Sequence, residues 1–146
     1  MSKTGNLIDP LENLLGYQLR RASLMTLAAL SEDFERLGFR LTDAVVMRFV
    51  AANPGCNQGQ VSKALGIKRT NMVPVVAGLV DRGFIERRVA DGRTHALALT
   101  DAGKTLHERL VAAADAHEAR FFGDFDATTR ALLMDALRRV RKIAGK

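Results

Sequence analysis

What this chain of 146 residues lacks narrows its chemistry first. It has one cysteine, Cys56, so no internal disulfide can form. The opening "MSKTGNLIDP" lacks the basic, apolar, then small pattern of a secretion signal, and the two absences together predict a cytoplasmic protein. Charge interrupts every apolar run well short of the roughly 18 residues a bilayer span needs, so no membrane partner is expected. A phosphate-cradling glycine loop, a nucleophile elbow and carboxylates paired on one face are all missing, which argues against an enzyme. His95, His107 and His117 have no partners at metal-ligand spacing, so neither metal nor cofactor is expected. Internal repeats and low-complexity segments are missing too.

What is present is material for a core, and an uneven charge. Hydrophobic residues make up 47% of the chain, enough for one packed domain. The formal charge is +6. Residues 1–56 balance six basic against six acidic side chains, whereas residues 57–100 carry seven against three and residues 101–146 nine against seven. A solvated basic face would account for so small an excess. Its concentration in the middle third also fits a surface that meets phosphates and releases their counterions.

Helix signals are strong at both ends. Asp9 reads as an N-cap, with Pro10 at the first helical position and Glu12 completing a capping box, ahead of a helix of about 20 residues striped with Leu11, Leu15, Leu19 and Ala22. Near the other end, Thr100 or Asp101 caps a helix carrying Leu106, Leu110, Ala113, Ala114, His117 and Phe121. Asp126 then caps a last helix with Leu132, Leu133, Ala136, Leu137, Val140 and Ile143 on its apolar face.

The middle third is made of shorter pieces. Thr42 is expected to cap a helix with Val45, Val46, Phe49 and Val50, ending at Asn53-Pro54-Gly55. Asn57 and Gln60 form the next capping box, before Val61, Ala64 and Leu65. A third short helix carries Val73, Val76, Ala77 and Val80 and stops at Gly83; with Pro74 in its first turn, it would start at Thr70 or Asn71. Then "ERRVADGRTHALALT" alternates apolar and polar residues around Asp91-Gly92, as a β-hairpin does. Phe84, Ile85, Leu97 and Leu99 are expected to anchor the hairpin's base, leaving Arg87, Arg88 and Arg93 about a free tip. Two short helices followed directly by such a ribbon make a winged helix-turn-helix pattern, and DNA is the natural anionic partner.

"QVSKALGI", "GLVDRGFIERR" and "DGR…LALTDAG", spread from Asn57 to Thr100, resemble the MarR family of winged-helix transcriptional regulators. With the flanking helices included, the resemblance covers nearly the whole chain. It implies a mainly α fold with a small β-hairpin wing: a winged helix-turn-helix lobe over residues 36–100, and N- and C-terminal dimerisation helices over 1–35 and 101–146. It also implies a homodimer on a pseudo-palindromic operator in double-stranded DNA, usually a repressor released by a small molecule. Physics favours two copies independently, since one recognition helix offers few base contacts and each good bidentate pair supplies only about 1–3 kcal/mol.

By the same resemblance Arg93 enters the minor groove and Asp91 steadies it; the alternative is a plain turn with a solvated arginine. Arg87 and Arg88 lie on opposite strand faces, so at most one should reach phosphates in the same way. Lys68, Arg69, Thr70 and Asn71 begin the recognition helix, where side chains and backbone N–H groups meet phosphates and base edges, or where Thr70 or Asn71 simply caps. Gln58 and Gln60 are weaker candidates for phosphate contacts. Pro74 departs from the polar or basic residue expected there. Oxidation-sensing members carry their cysteine in the first helix, which here has none, so Cys56 reads as a structural thiol. Tyr17, Arg20, Arg21, Phe39, Arg40 and Met47 are candidates for an effector pocket suited to an aromatic carboxylate or an acyl thioester, with ordinary core packing as the alternative for Tyr17 and Met47. A winged-helix protein scaffold and a sequence-neutral architectural DNA binder are the rival functions.

Overall fold

The computed structural model describes residues 8–92 and 94–144, except for the side chains of Ala90, Asp91 and Thr94. Among them the order is α1 (Leu15–Glu35), α2 (Leu41–Ala52), α3 (Gln58–Leu65), α4 (Arg69–Asp81), β1 (Ile85–Asp91), β2 (Thr94–Leu99), α5 (Asp101–Phe122) and α6 (Ala127–Ala144). One core joins them. Phe34 of α1, Met47 and Val50 of α2, Val61 of α3, Met72 and Leu79 of α4, Ile85 and Leu97 of the strands, and Leu106 and Leu110 of α5 are all buried in it. Each such side chain contributes roughly 1.5–3 kcal/mol. The core therefore runs through the boundary at residues 100 and 101, and α6 adds no buried residue to it.

Several caps fall where the sequence puts them. Asn57 Oδ1 accepts from Gln60 N–H and Gln60 Oε1 from Asn57 N–H, both at 2.9 Å, closing the capping box of α3. Thr100 Oγ1 accepts from Gly103 N–H at 3.0 Å, and Asp126 Oδ1 from Thr129 N–H at 2.7 Å. Three helix starts differ. Asp9 does not cap α1: its Oδ1 takes the Leu11 N–H at 2.9 Å and its Oδ2 the Tyr17 hydroxyl at 3.0 Å, so residues 10–13 form a turn and α1 begins at Leu15. Thr42 lies inside α2, whose N-cap is Arg40, because the Asp43 carboxylate reaches back to the Arg40 N–H at 3.2 Å. Neither Thr70 nor Asn71 caps α4. The helix already begins at Arg69 after Lys68, whose carbonyl accepts from the N–H groups of Asn71 and Met72. Pro74 thus sits in the second turn, and the Thr70 carbonyl loses its helical donor.

The strands pair antiparallel from Ile85↔Leu99 to Val89↔His95, then break register before Asp91↔Thr94. The free edge of β2 is not bare. Gly55 donates to the Leu97 carbonyl at 3.0 Å and Leu97 to the Cys56 carbonyl at 2.7 Å, so the α2–α3 connection lies along it. Gly103 carries the tightest approach of helix to loop: a Cβ there would stand 2.0 Å from the Phe84 carbonyl oxygen. Thr100 ties the same corner, donating its hydroxyl to Gly83 O at 2.6 Å and its N–H to Phe84 O at 3.1 Å. The beginning of α5 is thereby clamped to the end of α4 and the start of β1. Further along, Arg120 pairs with Asp33 of α1 at 2.9 Å beside the buried His117 ring.

Candidate nucleic-acid interface

The amino end of α4 is built by the turn before it. Gly66 adopts φ +64° at the end of α3, a left-handed conformation that costs glycine little, and Ile67 N–H returns to Ser62 O at 3.0 Å. The chain leaves this turn with Lys68, Arg69, Thr70 and Asn71 all exposed. No side chain caps α4, so the Arg69 and Thr70 N–H groups, ahead of the two that Lys68 O accepts, and the positive end of the dipole stay open to an anion. Lys63, Lys68 and Arg69 line one shallow cleft of about 360 Å³ there, together with Ser62, whose hydroxyl has no hydrogen-bond partner among the described residues. Gln58 is half-buried. Gln60 is exposed, with its carbonyl oxygen held in the capping box.

The hairpin follows the carboxyl end of α4, where Phe84 N–H returns to Leu79 O at 2.9 Å. Ile85 and Leu97 are 1% exposed at its base, whereas Val89 near the tip is 76% exposed. Strand alternation places Arg87 and Arg88 on opposite faces. Both are exposed, and Arg88 is ion-paired with Glu86 on its own face, which leaves Arg87 as the less encumbered cation of the two among the described residues. Arg93 and the Asp91 side chain lie outside the described residues; the Asp91 backbone still closes the ladder opposite Thr94.

The six candidates for an effector pocket fall in three places. Tyr17 and Arg21 gather on Asp9: the Tyr17 hydroxyl donates to its carboxylate, Arg21 approaches to 3.8 Å, and Arg20 beside them is exposed. Phe39 and Met47 belong to the core. Arg40 lines a groove of about 390 Å³ between α2 and α4, with Asp43, Asn71, Pro74 and Arg82. A second groove of about 510 Å³ lies among α2, the hairpin and α5, where Arg88, Lys104 and His107 meet Val50, Pro54 and Leu99. Cys56 is half-buried, and burial pushes its thiol above the ordinary cysteine range, so it holds little thiolate near neutral pH.

One residue of this region has no local signal in the sequence. The Arg82 guanidinium stacks 4.0 Å from the Phe39 ring centroid and donates to Gly38 O at 3.0 Å, bracing the end of α4 against the α1–α2 corner. Its partner is 44 residues away, and no short-range pattern announces such a pairing.

A short helix pair with an exposed, uncapped second helix and a cationic ribbon beside it defines the winged-helix class of nucleic-acid-binding folds. The comparisons narrow this class. A family model described as the MarR family matches residues 37–94. The solved structure of the transcriptional repressor CouR bound to a 23-mer DNA duplex is 30% identical, with a TM-score of 0.84 over 94% of this chain and 99% of that one. CouR from Rhodococcus jostii RHA1 bound to p-coumaroyl-CoA gives 0.80 at 26% identity, over 91% and 95%. The HTH-type transcriptional repressor Rv2887 of Mycobacterium tuberculosis is 29% identical over 108 residues, 73% of this chain and 78% of that protein, and has been solved with p-aminosalicylic acid. This chain belongs to the MarR family.

Proposed function

We propose that this protein is a cytoplasmic transcriptional repressor that binds a pseudo-palindromic operator as a homodimer and releases it on binding a small aromatic acid or acyl thioester. The observation that carries the reading is the convergence of Lys63, Lys68 and Arg69 on the open amino end of α4, with Arg87 exposed on the hairpin that follows this helix. Helix N–H groups and cations there hold phosphates, while Thr70 and Asn71 face base edges. Asp91 and Arg93 complete the reading at the hairpin tip, where an arginine in a narrow minor groove gains from its concentrated negative potential.

Two copies are needed because one helix reads few bases, and the chain offers a surface to join them. Leu15, Leu24 and Met25 of α1, with Leu132, Val140 and Ile143 of α6, are all more than half exposed. The binding of DNA, p-coumaroyl-CoA and p-aminosalicylic acid by relatives supports the partner and the effector class. The Tyr17, Arg20 and Arg21 cluster, Arg40 in its groove, and the neighbouring Phe39 and Met47 are the residues we assign to effector sensing.

The test is binding to a duplex selected from random sequence, measured over a series of salt concentrations. The affinity should fall steeply with salt, and the Lys68→Ala/Arg69→Ala double variant should flatten the slope of log K against log salt by about 2, roughly 0.9 for each phosphate no longer neutralised. Equal affinity for selected and random duplex would reassign the protein as an architectural binder. No affinity for either would leave a protein scaffold.

A further inference from the structure

Helix α4 carries an unusual set of side chains for a probe of base pairs. Met72, Val76 and Leu79 pack into the core. At 100° per residue the opposite line runs through Thr70, Pro74 and Ala77, and Val73 flanks it at 47% exposure. From Met72 to Val80 no residue has a polar side chain. Arg82, the next cation, is spent on Phe39 and Gly38. Between the first turn and the exposed Asp81 that ends the same line, then, the outward face of this helix has methyl groups and a proline ring, with the Asn71 amide at its edge.

Major-groove edges differ in what such a face can meet. Guanine presents two acceptors and cytosine an amino donor, whereas thymine alone offers a methyl group. Pressing valine and proline against a G·C pair would desolvate those polar groups without replacing their hydrogen bonds. Pressing them against thymine buries a methyl, and only the O4 acceptor beside it has a hydrogen bond to lose. Asn71 supplies the matching polar contact, since its amide can donate and accept together at adenine N6 and N7. Lys68 and Arg69 at one end of the face, with Arg87 on the hairpin, supply the charge that draws DNA rather than an apolar protein onto it.

Building on the DNA-binding reading above, we propose that α4 selects an A·T-rich half-site, with thymine methyls packed on Val73, Pro74 and Ala77 and an adenine held by Asn71. The proline suits this role: its rigid ring loses no rotamer freedom on contact, and Pro74 stands in the second turn where the helix bears on the groove.

The experiment takes the full-length protein and the duplex it selects, and replaces the half-site thymines with deoxyuridine, which removes only the 5-methyl groups. Binding should weaken about fourfold for each methyl that is buried. The exposed-site variants Val73→Ser and Pro74→Ser should lose that distinction between thymine and uracil, while keeping the salt slope and the helical circular dichroism of the wild type. Selected half-sites rich in G·C would overturn the proposal. So would specific, salt-dependent binding indifferent to the exchange, an outcome that leaves the repressor reading standing. If no duplex is preferred over random sequence, both fall together.

Discussion

The winged lobe and the helices that flank it use similar apolar residues to opposite ends. In the lobe, Val46, Val61, Met72 and Leu97 are at most 1% exposed, because α2, α3, α4 and the strands close on one another. Along the first half of α1 and along α6 large apolar side chains also recur at helical spacing, yet Leu15 is 89% exposed and Ile143 77%. Periodicity reports that a face must be covered, not by whom. In the lobe the cover is the chain itself; for α1 and α6 we assign it to a second copy.

Side-chain truncation separates the two regions by the largest margin. Leu110→Ala should cost about 2–5 kcal/mol in denaturant unfolding, since Leu110 is fully buried. Leu132→Ala and Ile143→Ala should leave the unfolding of dilute monomer within about 0.5 kcal/mol of wild type and instead raise the dimer dissociation constant seen by sedimentation. A large loss of monomer stability in these α6 variants would mean that the face packs within one chain.

Two of the helical glycines, Gly103 of α5 and Gly16 of α1, should part next. Gly103→Ala drives a methyl group into the Phe84 carbonyl and should destabilise by about 3 kcal/mol. Gly16→Ala meets nothing within 4 Å on α1 and should stabilise, by up to about 1 kcal/mol. Thermal melts of both variants read the contrast.

The smallest effect lies at the start of α6. The backbone N–H of Thr129 lowers the Asp126 carboxyl below its ordinary value, with a further hydrogen bond from the Thr129 side chain. The contribution is therefore fully present above the unfolded-state value, about 3.9, and fades as pH falls through the lower folded one. Asp126→Asn keeps a capping oxygen without the titration, so the gap in melting temperature between it and wild type should change below about pH 4 and stay flat above. A constant gap throughout would remove the carboxylate from the account.

Local signals carried much of this fold. The capping box at Asn57-Gln60, the Thr100 cap, the Asp91-Gly92 turn and the anchors Ile85 and Leu97 could be read directly, because each depends on residues a few positions apart. The misplaced starts of α1, α2 and α4 share one cause: an acid or a turn carbonyl found a different near neighbour from the one its spacing suggested. Arg82 on Phe39, Asp33 with Arg120, and Gly55 along Leu97 were illegible, since each joins segments at least forty residues apart. At the site, the cluster from Lys68 to Asn71 was visible as charge before a helix. The scattering of the six pocket candidates was not, because sequence places Met47 and Arg40 near one another while the fold sends one inward and the other out.

The collision that awaits any side chain at Gly103 has a mechanical meaning. With Thr100 and Gly103 seated on the corner between probe helix and ribbon, and Leu106 and Leu110 in the core, the 22-residue rod that follows, about 33 Å long, is fixed to the reading head. Ten degrees of tilt in that head would carry the rod's far end through about 6 Å. In the homodimer proposed above, a slight reseating of one copy against the other would alter the span between paired reading heads, and DNA repeats its grooves only every 34 Å or so.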